Sequence, residues 1–266
     1  MKIKVVVAGA RGRMGSTAIE AIEKSSHTET VAALDYKYGG LHLHKGTVNN
    51  EGIGIPIYTS MSELMSNHAV DVLLDVTDPD AVFNNVQDAL SHGVRPVVGT
   101  SGLSRRQVDE ISVLVETYRI GCIIAPNFSI GAVLMMKFAA QAAHYLGDVE
   151  IIEMHHDRKL DAPSGTALKT AEMIQHSRPA HLQGHPDEQV HLQGARGADI
   201  DGMKIHSVRL PGLLAHQQVL LGGEGELLTL RHDSFDRKSF MPGIILSIRN
   251  VVTREDLVYG LEYLID

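Results

Sequence analysis

The densest chemistry in the chain lies in Glu153-Met154-His155-His156-Asp157-Arg158-Lys159-Leu160-Asp161-Ala162-Pro163-Ser164-Gly165-Thr166-Ala167. Four cationic or protonatable side chains, His155, His156, Arg158 and Lys159, fall within five positions. Such groups hold anions and hand over protons. Pro163 sets up a helix start, so Ser164, Gly165 and Thr166 would offer backbone N–H groups and hydroxyls at the positive end of a helix. One carboxylate suits that helix start, and a second suits a histidine with the lysine. The segment reads as a trap for a compact dianion. Two other readings stand beside it. Adjacent histidines can bind metal, but neighbours on a strand point to opposite faces. There is also a single cysteine, and no HExxH pattern, to support a zinc site. A basic surface loop with no function has the same composition.

A second constellation, Gly9-Ala10-Arg11-Gly12-Arg13-Met14-Gly15, follows the apolar run KVVVA and precedes a helical pattern. Strand, glycine turn and helix are the setting in which a dinucleotide pyrophosphate is bound. There Gly9 makes the sharp turn, Gly12 admits backbone to the phosphates, and Gly15 lets the helix lie close. The spacing GxxGxxG departs from the commoner GxGxxG, and glycines also end strands for steric reasons alone. Asp35, 20 residues beyond Gly15, closes the next strand, where an acidic residue takes the adenine ribose hydroxyls. A plain turn aspartate is the alternative. Asp35 favours NAD, whereas Arg11, Arg13 or Lys37 would neutralise a 2′-phosphate, so the expectation is that either NADH or NADPH serves. Gly99-Thr100-Ser101-Gly102 and Ala125-Pro126-Asn127-Phe128 leave the carboxyl ends of two further strands, the side on which open parallel sheets bind ligands. Ordinary loop chemistry explains either segment equally well when taken alone.

These residues need elements to hold them. Strands are expected at Lys4–Ala8, Thr30–Asp35, Ile55–Tyr58, Asp71–Val76, Pro96–Val98 and Cys122–Ala125. Helices are expected at Met14–Ser25, Met61–Ser66, Pro79–Ser91 and Ser104–Tyr118. Short, continuously apolar strands alternating with helices predict βαβ units and a parallel sheet covered on both faces. Beyond Pro126 the pattern changes. A helix is expected over Ile130–Tyr145, a strand over Val149–His155, a helix over Gly165–His176, and a long polar loop over 178–203. Strands follow at Lys204–Arg209, His216–Leu221 and Leu227–Arg231, then a helical tail, Phe240–Asp266, returning to the first domain. The fold class expected is α/β. Residues 1–128 with 240–266 would form a Rossmann-type dinucleotide-binding domain, and 129–239 an α+β substrate and oligomerisation domain with an open mixed sheet. Hinges would fall near 127–130 and 237–241.

Composition narrows the class. Of 266 residues, 44% are hydrophobic and 21% charged, as in ordinary globular proteins. No apolar stretch approaches the roughly 18 residues of a membrane span, and the N-terminal apolar run reaches glycine too early for a signal peptide. A cytoplasmic protein without membrane contact is expected. A net charge of −8, with no basic stripe, argues against nucleic acid as a partner. The one cysteine, Cys122, lies in an apolar run and reads as a buried structural thiol.

HHDRKLDAPSGTA resembles the HHxxKxDAPSGTA signature of the 4-hydroxy-tetrahydrodipicolinate reductases, also called dihydrodipicolinate reductases. GARGRMG, DVTDP, GTSG, APNFSIGA, HSVRLPG and GGEGE occur in the family's order over nearly the whole chain. Ser101 stands where the family usually has threonine, and Val76 where it usually has phenylalanine. The resemblance implies reduction of a cyclic dicarboxylate with NADH or NADPH on the diaminopimelate route to lysine, without a metal, in a homotetramer. It implies proton-transfer roles for His155 and Lys159, and substrate contacts from His156, Ser164, Gly165 and Thr166. Dinucleotide contacts would come from Gly9, Ala10, Arg11, Gly12, Arg13, Met14 and Asp35; Lys37, read from its position beside Asp35, joins them as a cofactor-binding candidate. Gly99–Ser101 and Ala125–Phe128 would wall the nicotinamide. Two rival readings are a non-catalytic dinucleotide sensor and a dehydrogenase of another small anion. The sensor lacks a visible output module, and fold analogy alone does not exclude the other dehydrogenase.

Overall fold

The computed structural model describes residues 1–179 and 181–265. Ala180, in the stretch expected as a polar loop, and Asp266, at the end of the tail, lie outside the described residues. The chain divides into two compact units, 1–128 with 240–266 and 129–239. In chain order the first carries β1 (Ile3–Ala8), α1 (Arg13–Lys24), β2 (Thr28–Leu34), β3 (His42–His44), β4 (Thr47–Asn49), β5 (Ile55–Tyr58), α2 (Met61–Asn67), β6 (Val72–Asp75), α3 (Val82–Ser91), β7 (Arg95–Val98), α4 (Arg105–Tyr118) and β8 (Cys122–Ile124). The second carries α5 (Ile130–Ala143), β9 (Asp148–His155), α6 (Gly165–Ser177), β10 (Ala198–Ile200), β11 (Met203–Arg209), β12 (Ala215–Gly223) and β13 (Glu226–Ser234). The chain then returns to the first unit with α7 (Met241–Val251) and β14 (Leu257–Tyr259).

Among the described residues, the first unit forms a nine-stranded sheet in the order β14-β8-β7-β6-β1-β2-β5-β3-β4. Pairing is parallel from β14 to β5, and β3 and β4 add an antiparallel hairpin at one edge. The apolar runs are explained by burial on both faces. Val5, Val6 and Val7 are each 0% exposed, and full burial of such side chains contributes about 1.5–3 kcal/mol apiece. Val6, Leu73, Met61 and Leu64 belong to one core cluster, and Val98, Ile111, Val115 and Cys122 to another. Helix α4 shows how sequence fixes an element. Ser104 and Gln107 form a reciprocal capping box, and Ile111 and Val115, one turn apart, supply its buried stripe. The buried Cys122 thiol is driven upward in pKa by desolvation, as suits a structural cysteine.

The strand order sets a topological switch point. From β1 the chain proceeds outward through β2 and β5, and then restarts on the other side with β6, β7 and β8. The carboxyl ends of β1 and β6 therefore diverge into a crevice, the position where doubly wound sheets take ligands.

The second unit is a mixed five-stranded sheet in the order β10-β11-β9-β12-β13. β9 and β11 are parallel and the other pairs antiparallel. Helices α5 and α6 pack against each other and against this sheet. Val149, Ile151 and Glu153 alternate along the buried face of β9, while Leu227 and Leu228 on β13 stay exposed.

Two expectations need correction. The stretch 178–203 is not all loop: Ala198–Ile200 is a strand, joined to β11 through Asp201 and Gly202. The tail is helical only to Val251. Leu257–Tyr259 is an edge strand parallel to β8, followed by a single 3₁₀ turn over Leu261–Tyr263. Among the described residues, no helix is long and apolar enough to cross a membrane.

Candidate active site

The glycine turn after β1 is shaped by close backbone approach. Gly9 has φ +80°, and a Cβ there would stand 2.5 Å from the Val76 carbonyl oxygen. A Cβ on Gly15 would stand 2.2 Å from the Gly9 carbonyl oxygen. Gly12 caps α1 in an extended conformation with no side-chain hydrogen bond, so no side chain competes with an anion for the first-turn amides. Ala10 is buried and shapes the turn through its backbone. Arg11 and Arg13 are exposed, and Met14 is half-buried. A cleft of about 320 Å³ opens here, lined by Gly9, Gly12, Asp35, Thr59, Val76 and Asp78 among others. An opening of that size at the switch point fits the adenosine and pyrophosphate part of a dinucleotide.

Asp35, just beyond β2, is paired. Arg11 Nε donates to its Oδ2 at 2.6 Å, and the Lys37 N–H donates to its Oδ1 at 2.9 Å. The guanidinium also lies 4.2 Å over the Tyr38 ring. The Arg11 pKa is raised, first by the hydrogen bond to Asp35. Sequence reasoning set Arg11 and Asp35 against each other as cofactor determinants; the structure joins them.

Asp75, at the end of β6, is fully buried and organises the neighbouring turns. Its Oδ1 accepts from the Thr77 N–H (3.1 Å), the Thr77 hydroxyl (2.7 Å) and the Thr100 hydroxyl (2.6 Å). Its Oδ2 accepts from Asn85 Nδ2 at 2.7 Å. Thr100 thus faces inward, while Ser101 is exposed. Gly99 is needed because a Cβ would lie 2.5 Å from the buried Phe128 ring. Ala125 is buried, Pro126 exposed and Asn127 half-buried. Asp75→Ala would strand several donors, each costing about 1–3 kcal/mol when left unpaired in a buried place. The expected loss is about 3 kcal/mol in urea unfolding, and an unchanged midpoint would refute the role.

In the second unit, β9 ends at His155, and the loop after it carries Lys159 before α6 begins. Glu153 is the hub that sequence reasoning missed. It is 0% exposed, and both its oxygens are used. Oε1 accepts from the Ser164 N–H at 3.2 Å and Arg209 Nη2 at 2.7 Å. Oε2 shares a 2.6 Å hydrogen bond with His155 Nδ1 and accepts from Arg209 Nη1 at 2.8 Å. Burial pushes its carboxyl up, but Arg209, Ser207 and His155 outweigh that, so it sits below the usual range and is ionised. Two signals in the sequence pointed to it: a carboxylate sharing strand parity with Val149 and Ile151, and an arginine in HSVRLPG with no assigned role.

Desolvation pulls the His155 imidazole below its ordinary pKa. Glu153 pulls it back up, and the nearby Lys159 and Arg209 push it down. Lys159 Nζ donates to both Asp161 oxygens, at 2.7 and 2.8 Å, and holds that carboxyl below its usual range. His156 is half-buried, and its Nδ1 is buried without a partner. Ser164 is the buried N-cap of α6 and accepts from the Ala167 N–H at 3.2 Å. Gly165 is exposed, with open space where a Cβ would be, and Thr166 is half-buried.

A Rossmann-type unit with a glycine cradle, and a second unit carrying an imidazole–ammonium pair beside a helix start, define a two-unit nicotinamide-dependent oxidoreductase. The family model described as dihydrodipicolinate reductase, N-terminus, matches residues 3–128, and that described as dihydrodipicolinate reductase, C-terminus, matches 131–265. The chain belongs to the 4-hydroxy-tetrahydrodipicolinate reductase family. It is 54% identical over 265 residues to the 4-hydroxy-tetrahydrodipicolinate reductase of Lysinibacillus sphaericus, covering 100% of both chains. It is 56% identical to that of Bacillus pumilus, covering 99% of this chain and 98% of the relative. The solved dipicolinate-bound dihydrodipicolinate reductase of Paenisporosarcina sp. TG-14 superposes with a TM-score of 0.89 at 52% identity, covering 99% of each chain.

Proposed function

We propose that this chain reduces (2S,4S)-4-hydroxy-2,3,4,5-tetrahydrodipicolinate to (S)-2,3,4,5-tetrahydrodipicolinate, with NADH or NADPH as donor, on the diaminopimelate route to lysine. The observation that carries this reading is the placement of His155 at the end of β9 and of Lys159 in the loop leading to the opening turn of α6, which is tied back to β9 through Glu153, in a chain of this family. Loss of water from the substrate leaves a conjugated cyclic imine. The bound nicotinamide supplies hydride to C4. Lys159 or His155 gives the balancing proton to C5, the carbon between C4 and the imine carbon. The N–H groups of Gly165 and Thr166 receive one carboxylate at the positive end of α6, while His156 and Lys159 hold the other. Their positive charge also stabilises negative charge developing on the ring. Asp161 keeps the Lys159 ammonium oriented before substrate arrives.

Gly9, Ala10, Arg11, Gly12, Arg13 and Met14 cradle the pyrophosphate, with Asp35 at the adenine ribose and Lys37 beside it. Gly99, Thr100, Ser101, Ala125, Pro126, Asn127 and Phe128 border the nicotinamide. Residues 1–128 with 240–266 serve the dinucleotide, and 129–239 serve substrate binding and assembly. The exposed Leu227 and Leu228 on β13 support burial of that sheet in a homotetramer. The protein works in the cytoplasm.

The direct test supplies the condensation product of pyruvate and aspartate semialdehyde and follows NAD(P)H absorbance. A fall that depends on both enzyme and substrate is expected, and a flat trace overturns the reading. The Arg11–Asp35 pair supports use of both cofactors. Asp35 remains an acceptor for ribose hydroxyls, and Arg11 can turn to a 2′-phosphate. The kcat/KM values for NADH and NADPH are expected to agree within about a hundredfold, and a preference of several thousand-fold would sink this.

A further inference from the structure

Glu153 lies outside the proton-transfer pair, yet it has the most complete set of partners in the second unit's site. A carboxylate on the apolar face of β9, between the sheet and its helices, is costly unless it is paired. Arg209, arriving from the neighbouring strand β11 in register with His155, meets that need alone through two hydrogen bonds. The same carboxylate nevertheless also takes His155 Nδ1 and the Ser164 N–H. A neutralised structural ion pair requires neither. An ionised carboxylate accepts, so the proton between it and His155 sits on Nδ1, and Nε2 is left for the reaction.

On the reading that His155 takes part in proton transfer, we propose that Glu153, gripped by Arg209, is a positioning residue. It sets the tautomer and orientation of His155 and, through the Ser164 N–H, ties the opening turn of α6 to the same carboxylate. The imidazole that moves a proton and the amides that receive a substrate carboxylate are thereby referenced to one buried group. The charged groups acting on His155 are Glu153 on its own strand, Arg209 from β11, and Lys159 from the following loop, which is itself paired with Asp161. On the remaining side, β12 presents Ala215 opposite.

The test is Glu153→Gln, which keeps the shape and removes the charge. Its kcat is expected to fall by about one to two orders of magnitude, as when an orienting partner is lost, with the dinucleotide KM unchanged. Glu153 raises the His155 pKa. Without it, the limb of the pH–rate profile on which activity falls as protonated His155 is lost must move to lower pH. Glu153→Asp, which keeps the charge, recovers that limb. A glutamine variant that only melts earlier, with kcat and pH profile intact, would overturn the proposal. ¹⁵N NMR of histidine-labelled wild-type enzyme gives a readout that survives poor folding of the variants. A protonated Nδ1 and a bare Nε2 on neutral His155 are expected, and the opposite tautomer would overturn the proposal. The NMR reading does not depend on turnover. A wild-type protein with the expected tautomer and no reductase activity refutes the proposed function instead.

Discussion

Lys159→Ala is expected to lower kcat by two to four orders of magnitude, the range for loss of a general acid, while leaving NADH affinity unchanged. None of the cradle groups, Gly9, Gly12, Asp35 and the uncapped start of α1, involves Lys159, so cofactor titration by fluorescence should not detect the change. What is lost is the Lys159 side-chain nitrogen, held by Asp161 at 2.7 and 2.8 Å. Two contributions disappear with it: a proton for C5, and positive charge beside the substrate. Lys159→Arg separates them. Arginine keeps the charge but does not release its proton at any working pH. If arginine restores most of kcat, Lys159 acts electrostatically and His155 is the proton donor. If arginine is as poor as alanine, the proton comes from Lys159. An unchanged kcat in the alanine variant would remove Lys159 from the reaction.

How much of this was legible from residues alone depended on whether the cause was local. The parallel strands were legible because burial on both faces forces continuous apolar runs, and α4 because its cap lies within four residues of sequence. The β3–β4 hairpin was not. Its turn, Lys45-Gly46, has φ of 47° and 80°, a mirror-image turn normally marked by Asn-Gly or Asp-Gly, and lysine hides it. β10 is different, because Asp201-Gly202 carries that signal between Ile200 and Met203 inside a stretch whose polar composition otherwise suits a loop. β14 has only three residues, and it gains its place from pairing with β8 rather than from its own pattern.

The site divides in the same way. The glycines, Asp35, His155 and Lys159 announce themselves through spacing and type. The pairings Arg11–Asp35 and Glu153–Arg209 span 24 and 56 residues and exist only once β1 lies beside β2 and β9 beside β11. These pairings change the chemistry. Arg11 engages one oxygen of the Asp35 carboxylate, and Arg209 lets a buried carboxylate remain ionised beside the imidazole. Sequence supplied the candidate reacting groups, while their long-range partners became visible only through strand register.

Gly15→Ala should show the cost of disturbing that register at the cofactor end. The added methyl would lie 2.2 Å from the Gly9 carbonyl oxygen and 2.8 Å from Ala10 Cα. Both are backbone atoms, so no side chain can rotate away. The Gly9 carbonyl is also engaged, accepting from the Gly12 N–H at 2.9 Å. Gly9 in turn is pressed against Val76, where its own missing Cβ leaves the room. Helix α1 must therefore lift from the turn, loosening Ala18 and Ile22 and carrying the first-turn amides away from the phosphates. Overpacking of this kind costs about 1–3 kcal/mol, which in a protein this size lowers Tm by roughly 2–4 °C per kcal/mol. Dinucleotide Kd should rise at least tenfold, since about 1.4 kcal/mol of misplaced amides suffices for that. Gly165→Ala is the matched control for stability: nothing lies within 4 Å of its Cβ position, so its melt should match wild type. If Gly15→Ala keeps both Tm and Kd, the turn has slack that these distances deny, and the close approach of α1 to β1 is not what the glycine is for.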